Sequence, residues 1–420
     1  MLADLLIHNT TEIYTCAGPA PRRGPSQADA GRIRNGAIAS HRGTIVYVGP
    51  DDDRTRVVEL TTDATTIDAD RGSVVPGFVD PHTHVVFAGD RRDELRRRLA
   101  GATYGEIAAD GGGILATVAA TRAASEDELL RTTARRLDEM LSNGTTTCEA
   151  KSGYGLTTES ELKQLRVIAR LQKQHPVEIA PTFMGAHEVP AEYRAGRERY
   201  VALVCNEMIP AVARSGLAEW CDVFCEDGVF TPADATTILT TAREAGMKLR
   251  IHADELGPSG GSAVAAAMRA RSADHLIFAD AEGARALAAA GTVATLLPSA
   301  AFYLKLGRYA PARMLIDAGV AVALASDVNP GGGFSPSMPF AMTLGCFAMG
   351  LTFEEALVGA TVNAAYSLDR HYAVGSLEPG KQMDAVLVNG PAIELIRTGA
   401  RTVRSVIKKG RMIEAPATQP

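Results

Sequence analysis

The sequence predicts an α/β protein: a (β/α)8 barrel of the TIM type with a small β-sandwich domain built from both chain termini. Between about residues 74 and 370, short apolar strands alternate with helical stretches eight times, as in such barrels. Strand patterning returns at both ends of the chain, and neither end has enough apolar residues for a core of its own. We therefore predict boundaries at residues 1–75, 76–370 and 371–416. A doubly wound open sheet is the alternative for the central region.

Composition and charge narrow the class of protein. The 420 residues suffice for a barrel and a small domain, and the net charge of −6 offers no basic field for nucleic acid. The amino terminus lacks the basic and apolar regions of a signal peptide, and no apolar run approaches the ~20 residues of a membrane span. Six cysteines show neither zinc-ribbon nor secreted disulfide spacing. We expect a cytoplasmic protein without nucleic-acid or membrane partners.

The first 75 residues are predicted to be mainly strands. Residues 5–7 form a short apolar strand, and residues 37–40 and 44–48 flank a His41-Arg42-Gly43 turn, which is typical of a hairpin. Residues 17–32, between the first strand and the hairpin, are rich in Gly, Pro and Arg, which predicts a mobile loop.

The central region contains the eight predicted barrel strands. They cover residues 74–84, 145–151, 177–187, 221–226, 248–255, 274–278, 292–298 and 320–327. The predicted helices between them include a charged one from Asp90 to Leu99 and one that Ser125 and Glu128 open as a capping box. We interpret residues 96–98, three arginines, as a solvated helix face, and residues 111–113, three glycines, as a flexible loop over the site mouth.

The carboxyl-terminal residues return to strand patterning. Residues 376–380 form a predicted turn, and residues 384–388 and 403–408 are predicted strands. We expect them to pair with the amino-terminal strands in one shared domain, and the tail from residue 415 to be disordered.

The stretch from Pro76 to His84 holds a His-x-His pair at the end of an apolar strand. Residues i and i+2 of a strand point to the same face, so His82 and His84 should project together. Zinc binds imidazole nitrogen at about 2.0–2.1 Å, and two such side chains supply half a tetrahedral site. An inert pair of hydrogen-bonded histidines in a turn is the alternative for an isolated His-x-His.

The other predicted strand ends carry further polar side chains, and barrel active sites lie at these ends. Five of the nine histidines fall there. They are His82, His84, His187, His252 and His275. Each alone could be a core or loop histidine, Asp327 could belong to a turn, and Glu226 could pair with Arg250. Together they indicate a functional site.

We predict that one divalent metal ion is bound by four side chains, with water completing its shell. The predicted ligands are His82, His84, His252 and Asp327. Three neutral imidazoles leave most of the cation's charge uncompensated, which lowers the pKa of bound water from 15.7 towards ~7. Asp327 would ligate the metal, hold a proton, or both. Glu255 and His275 are then placed to transfer a proton to a leaving nitrogen.

The same motifs carry a family resemblance. The Pro-Gly-Phe-Val-Asp-x-His-x-His stretch, Ile251-His252-Ala253 and Ser326-Asp327 resemble the amidohydrolase superfamily. Finer motifs lie at residues 87–91, 111–114, 151–156, 185–190, 222–226 and 326–331. They resemble the imidazolonepropionase family, over roughly residues 72–365. Another mononuclear amidohydrolase, such as an aminopurine or pyrimidine deaminase, and a non-catalytic scaffold are the alternatives.

The resemblance implies hydrolysis of 4-imidazolone-5-propanoate to N-formimidoyl-L-glutamate by a homodimer. Arg91 suits the propionate, because a guanidinium offers two parallel N–H donors to a carboxylate. Tyr154, His187 and Glu255 would contact the substrate, with His187 donating to the carbonyl oxygen as charge develops. The resemblance also implies that Asn329, Gly331 and Gly332 shape the cavity floor. Gly332 departs from the pattern, because a hydroxyl residue is expected there.

The residue at the end of the fourth predicted strand bears on how many metal ions the site holds. Many members of the superfamily hold two metals bridged by a carbamylated lysine at that strand's end. Here the strand ends in Glu226, and residues 220–230 contain no lysine. Lys151 lies on the second strand, where it is better placed to pair with a carboxylate. We therefore expect one metal, zinc or iron, per chain.

Overall fold

Eight parallel strands in sequential order form the central sheet of the computed structural model, which describes residues 1–102, 106–107 and 110–413. These strands are β8 (Phe78–Asp80), β9 (Thr145–Lys151), β10 (Glu178–Ala186), β11 (Trp220–Cys225), β12 (Lys248–Ala253), β13 (Ser272–His275), β14 (Val293–Leu296) and β15 (Val322–Leu324). Each neighbouring pair is parallel. The predicted barrel is confirmed.

The two end strands of this sheet, β8 and β15, are joined just beyond their carboxyl ends. The N–H of His84 donates to the carbonyl of Val328 at 2.8 Å, and the N–H of Asp327 donates to the carbonyl of His82 at 3.2 Å. Asp80, buried at the end of β8, accepts from the N–H of Ser326 at 3.1 Å. The sheet is thus closed where the predicted site residues lie, which excludes the open-sheet alternative.

Helices cover the outside of the barrel. Their bounds are α2 (Arg92–Leu99), α3 (Ile114–Ala123), α4 (Glu126–Ser142), α5 (Thr158–Gln174), α6 (Arg197–Leu203), α7 (Ile209–Ser215), α8 (Pro232–Glu244), α9 (Gly261–Ala267), α10 (Ala281–Ala290), α11 (Pro298–Tyr303), α12 (Ala312–Asp317), α13 (Met338–Met349), α14 (Phe353–Gly359) and α15 (Val362–Ser367), after α1 (Asp51–Val57) in the terminal domain. As predicted, Ser125 caps α4 by accepting from the N–H of Glu128, and the helix ends at Asn143. None of the described helices has the length and apolar character needed to cross a membrane.

The terminal domain consists of two sheets. Its strands are β1 (Leu2–His8), β2 (Glu12–Tyr14), β3 (Arg32–Arg34), β4 (Gly36–His41), β5 (Thr44–Pro50), β6 (Glu59–Asp68), β7 (Ser73–Pro76), β16 (Ala385–Val388), β17 (Val403–Lys408) and β18 (Arg411–Ile413). The first sheet has the order β5-β4-β1-β6 and the second the order β18-β17-β16-β7-β2-β3. Ile7 and Ile38 share one core with Leu387 and Ile407, so both chain ends build the predicted domain.

Two sequence predictions about this domain were wrong. Val74 and Val75 pair with the carboxyl-terminal strand β16 and do not begin the first barrel strand. The chain passes into the barrel at Gly77, where a Cβ would collide with Thr146. Residues 17–32 are not a free loop, because Gln27 donates to the carbonyl of Val322 at 2.7 Å on the barrel strand β15. The predicted disordered tail lies outside the described residues.

Candidate metal centre and substrate cavity

The predicted ligands come from three strand ends. His82 and His84 lie just past β8, His252 lies on β12, and Asp327 lies three residues past β15. The sequence predicted both histidines on the strand, but they lie just past its end. Both rings are nevertheless buried, with their Nε2 atoms 3.3 Å apart. All four side chains are buried, and His82, His84 and Asp327 are close enough together to share one metal ion. His252 adjoins them through His84.

The imidazole nitrogens have the spacing of a tetrahedral metal shell. Nε2 of His84 lies 3.3 Å from Nε2 of His82 and 3.3 Å from Nε2 of His252. Two ligands at about 2.0–2.1 Å from a tetrahedral zinc are separated by about 3.4 Å. The observed separations match that value.

Hydrogen bonds on the other ring nitrogens show which tautomers are present. Nδ1 of His82 lies 2.6 Å from Asp274, and Nδ1 of His252 lies 3.0 Å from Asp222. A carboxylate accepts only, so both Nδ1 atoms donate and both Nε2 atoms carry bare lone pairs. Burial also lowers the pKa of His82 and His84, which keeps these rings neutral. The Nε2 atoms of His82 and His252 therefore offer lone pairs to a cation, and Nε2 of His84 lies 3.3 Å from each of them.

Asp327 supplies a carboxylate to the same point. Its Oδ1 lies 3.7 Å from Nε2 of both His82 and His84, and it has no hydrogen-bond partner among the described residues. Burial raises the pKa of Asp327 to about 8. A buried oxygen without a described partner beside the Nε2 atoms of His82 and His84 fits a cation ligand, so the donor set fits a metal ion.

Beneath the ligands lies a fully buried charge network. The ammonium of Lys151 lies 2.5 Å from Glu149 and 2.7 Å from Asp222. Arg250 lies 3.2 Å from Asp274. Burial alone would lower the pKa of Lys151. The neighbouring Asp222 and Glu149 carboxylates outweigh burial, so the pKa of Lys151 is raised above its usual value. The three carboxylates and two cations carry one excess negative charge, and two of these carboxylates contact His82 and His252.

The predicted proton-transfer pair lies beside the ligands. Nε2 of His275 lies 3.5 Å from Oε2 of Glu255, and both side chains are buried. Burial, and then the nearby Asp327 and Glu226 carboxylates, raise the pKa of Glu255 well above its usual value. Glu226 accepts from the N–H of Glu255 at 3.0 Å and from that of Leu256 at 2.9 Å, so it holds the backbone that carries Glu255. His275 is also close enough to His82 and His252 to share a metal ion with them.

A cavity of about 110 Å³ opens onto these groups. All seven residues that we predicted to bind substrate line it, together with His84, His252, His275 and Asp327. These seven are Arg91, Tyr154, His187, Glu255, Asn329, Gly331 and Gly332. Phe224, Leu256, Leu304 and Leu306 add apolar surface. One buried cation among polar and apolar walls suits a small ligand with one carboxylate.

Tyr154 and His187 form one wall of the cavity. The ring of His187 stacks on that of His84 with centroids 4.8 Å apart. The Nδ1 of His187 donates to the carbonyl of Gly153 at 3.0 Å, because a carbonyl only accepts. Burial lowers the pKa of His187 to about 3, so its neutral ring presents Nε2 as an acceptor. The predicted donor role of His187 would require the protonated ring.

The loop that carries Tyr154 is shaped by Glu161 on helix α5. This buried carboxylate accepts from the N–H of Gly153 at 2.9 Å, and from those of Gly155 and Leu156 at 2.8 Å each. Gly153 has φ +110°, a conformation that suits glycine. The loop therefore has a fixed conformation, which fixes Tyr154 against the cavity.

The turn after Asp327 forms another part of the wall. The side-chain oxygen of Asn329 accepts from the N–H of Gly331 at 2.8 Å and from that of Gly332 at 2.7 Å. The backbone N–H of Gly332 is thus already used within the turn. A Cβ at residue 333 would collide with the carbonyl of Asp327, so only glycine fits there.

Comparisons with known proteins agree with this geometry. The model of the amidohydrolase family matches residues 73–413. An imidazolonepropionase from Symbiobacterium thermophilum is 51% identical over 98% of this chain and 97% of its own. Another, from Geobacillus kaustophilus, is 48% identical over 98% of both chains. The chain belongs to the imidazolonepropionase family of amidohydrolases. The fold and family predicted from the sequence are both confirmed.

Solved structures show the same fold at lower identity. An adenosine deaminase from Xanthomonas campestris, solved with bound zinc, has a TM-score of 0.72 at 19% identity and covers 98% of this chain and 93% of its own. A triazine hydrolase variant has a TM-score of 0.73 at 18% identity, with coverage of 97% and 94%. These likenesses establish the barrel with its terminal domain.

Sequence reasoning missed several residues that support the site. Asp222 and Asp274 orient the histidines from strands far along the chain, and Glu161 shapes the Tyr154 loop. Arg98, assigned to a solvated helix face, is buried and donates to the carbonyl of Gly331 at 3.2 Å. Its neighbour Arg96 is exposed, as predicted. The sequence carried no signal for Arg98, because the burial of its face of α2 depends on packing against the turn after β15.

Proposed function

We propose that this chain hydrolyses the cyclic amide of 4-imidazolone-5-propanoate to N-formimidoyl-L-glutamate. One water adds across the ring C–N bond: its hydroxyl joins the carbonyl carbon and its proton goes to the departing ring nitrogen. The single observation that carries the proposal is the cavity that joins the clustered histidine nitrogens to a buried arginine. The imidazolonepropionase relatives at 48–51% identity support it.

One divalent cation, zinc or iron, would be held by His82, His84, His252 and Asp327. Imidazole and carboxylate donors suit both metals. When bound, such a cation polarises a carbonyl and supplies a water of lowered pKa near neutral pH.

We expect a single cation, because the nearby lysine and carboxylates that could hold a second one are already paired with other side chains. The ammonium of Lys151 on β9 is paired with Glu149 and with Asp222 of β11, so it does not offer a bridging group. Asp222 and Asp274, which with His82 form a further carboxylate-rich cluster, are already bound by Lys151, His252 and Arg250. A second dication nearby would face strong repulsion.

The chain's own residues would orient the substrate. Arg91 binds the propionate, while Tyr154 packs against the planar ring. The neutral Nε2 of His187 accepts a hydrogen bond from a ring N–H, as its tautomer requires. The turn from Asn329 to Gly332 closes the floor, and Leu304 and Leu306 exclude water from the apolar edge of the ring. Correct placement of reacting groups contributes a large part of enzymatic rate enhancement.

Proton movement would use Glu255 and His275. Burial raises the pKa of the Glu255 carboxyl, which favours its protonated form, and this carboxyl would release a proton to the departing ring nitrogen. His275, 3.5 Å from Glu255, lies between that carboxyl and the metal ligands, so it is placed to relay the proton. Such positioned groups contribute about 10²–10⁴-fold to rate.

The test is an absorbance assay with the purified protein. We expect loss of 4-imidazolone-5-propanoate and formation of N-formimidoyl-L-glutamate, both abolished by a chelator and restored by zinc or iron(II). An aminopurine and an aminopyrimidine serve as alternative substrates, because they carry no carboxylate for Arg91. Turnover of either in preference to the imidazolone would overturn the proposal.

A further inference from the structure

The guanidinium of Arg91 is already held by an acidic partner before any substrate is considered. Its Nε lies 2.9 Å from Oε2 of Glu94, and its Nη2 lies 2.8 Å from the same oxygen. The two residues are one helical turn apart at the start of α2, and both are buried. Glu94 therefore fixes the Nε–Nη2 edge of the guanidinium.

The second oxygen of Glu94 is also used. Oε1 accepts from the N–H of Gly113 at 2.8 Å. A Cβ at residue 112 would lie 2.9 Å from this oxygen and 2.8 Å from the carbonyl of Ile107, so glycine allows the close approach. One carboxylate thus joins Arg91 to the predicted glycine loop.

The guanidinium also packs against the turn after β15. A Cβ at residue 331 would collide with the guanidinium of Arg91, so the arginine lies directly on the backbone of Gly331. Arg98 holds that backbone, since it donates to the Gly331 carbonyl at 3.2 and 3.3 Å and to the Tyr303 carbonyl at 3.0 Å. Glu94, Gly331 and Arg98 form what we call the guanidinium slot.

We propose that Glu94 is a positioning residue that determines specificity for a carboxylate-bearing substrate, by holding the guanidinium of Arg91 in the guanidinium slot at the wall of the cavity. This inference rests on the proposed function. An arginine that is fixed in advance loses little side-chain entropy when it binds a carboxylate, which favours affinity. Glu94 lowers the cost of binding without touching the reacting bond, so its effect belongs in KM and not in kcat.

The test compares Glu94→Gln with Asp93→Asn on the same helix. Asp93 pairs with Arg96 at 3.0 Å, but both side chains are more than four-fifths exposed, so it is a matched surface control. We expect E94Q to raise KM roughly tenfold, the effect of losing one charge-assisted hydrogen bond, while kcat and metal content stay within twofold of wild type. D93N should leave KM unchanged. Glu94→Asp, which keeps the charge, should recover part of the affinity.

A double variant separates action through Arg91 from a general structural effect. If Glu94 acts by positioning Arg91, then R91K/E94Q should have a KM within about twofold of R91K alone. The inference would be overturned if the KM increases of the two single variants multiplied in the double variant. It would also be overturned if E94Q had the wild-type KM.

A binding measurement tests the role of Glu94 without relying on turnover. The probe is 3-(imidazol-4-yl)propanoate, which has the carboxylate but no cyclic amide, and its neutral amide is the control. We expect calorimetry to show about tenfold weaker binding of the carboxylate probe to E94Q and no difference for the amide. Equal losses for both probes would overturn the specificity role of Glu94. If the wild-type protein does not hydrolyse the imidazolone at all, that result refutes the proposed function, whatever the probes show.

Discussion

Replacing Asp222 by Asn tests whether the buried network prepares the metal ligands. Asp222 receives hydrogen bonds from Nδ1 of His252 at 3.0 Å and from the ammonium of Lys151 at 2.7 Å. An asparagine amide has one acceptor oxygen and one donor nitrogen, so it cannot accept from both partners through separate atoms. One charge-assisted hydrogen bond is lost, at about 1.5–3 kcal/mol.

If the loss falls on His252, metal affinity should fall about 10–100-fold, the usual effect of removing such a supporting carboxylate. The measurement is metal binding in competition with a chromogenic chelator. At saturating metal, kcat should recover much of its wild-type value, because the reacting groups themselves are unchanged.

Asp384→Asn provides the control for general destabilisation. Asp384 forms a comparably buried pair with Lys408 at 2.7 Å and accepts from the N–H of Lys409 at 2.9 Å, but it lies in the terminal domain. We expect D384N to lower the melting temperature without changing metal affinity. Metal affinity of D222N within threefold of wild type would refute the reasoning, as would an equal loss in D384N.

Three further predictions concern the site itself. His82→Ala and His252→Ala should lower metal content and activity together, because each removes one ligand; a variant with full turnover would exclude that residue from the shell. Arg91→Lys should raise KM strongly at unchanged metal content, since lysine keeps the charge but loses the two parallel N–H donors; unaltered kinetics would mean that another group binds the propionate. Glu255→Gln should cut kcat by about 10²–10⁴-fold with metal binding intact, because an amide cannot take up a proton; a loss below about threefold would leave Glu255 only an orienting role. Light scattering of the purified protein checks the predicted homodimer.

The barrel could be predicted because its periodicity is local. Strand β9 has the bounds expected from the sequence, and the apolar runs of β11 and β12 differ from expectation by only one or two residues at their ends. The first barrel strand could not be delimited in this way. The apolar residues Val74 and Val75 suit either sheet, and only their pairing with β16, more than 300 residues later, assigns them to the terminal domain.

The candidate site could be predicted only where chemistry is concentrated at strand ends. His82, His84 and Asp327 are recognisable by residue type and position. Their supporting groups are not, since Asp274 is 192 positions from His82 and sits within an ordinary buried strand. The same holds for Arg98: a run of three arginines resembles a solvated face until the neighbouring turn after β15 is in place.

The most direct test of metal-dependent hydrolysis is a titration of the metal-free chain with zinc or iron(II). Loss of 4-imidazolone-5-propanoate is followed by absorbance at each addition, and metal content is measured in parallel. The four-ligand site predicts that activity rises linearly to one equivalent per chain, then stays constant, and does not depend on added bicarbonate. Full activity without metal, or a rise that continues to two tightly held equivalents, would contradict this account.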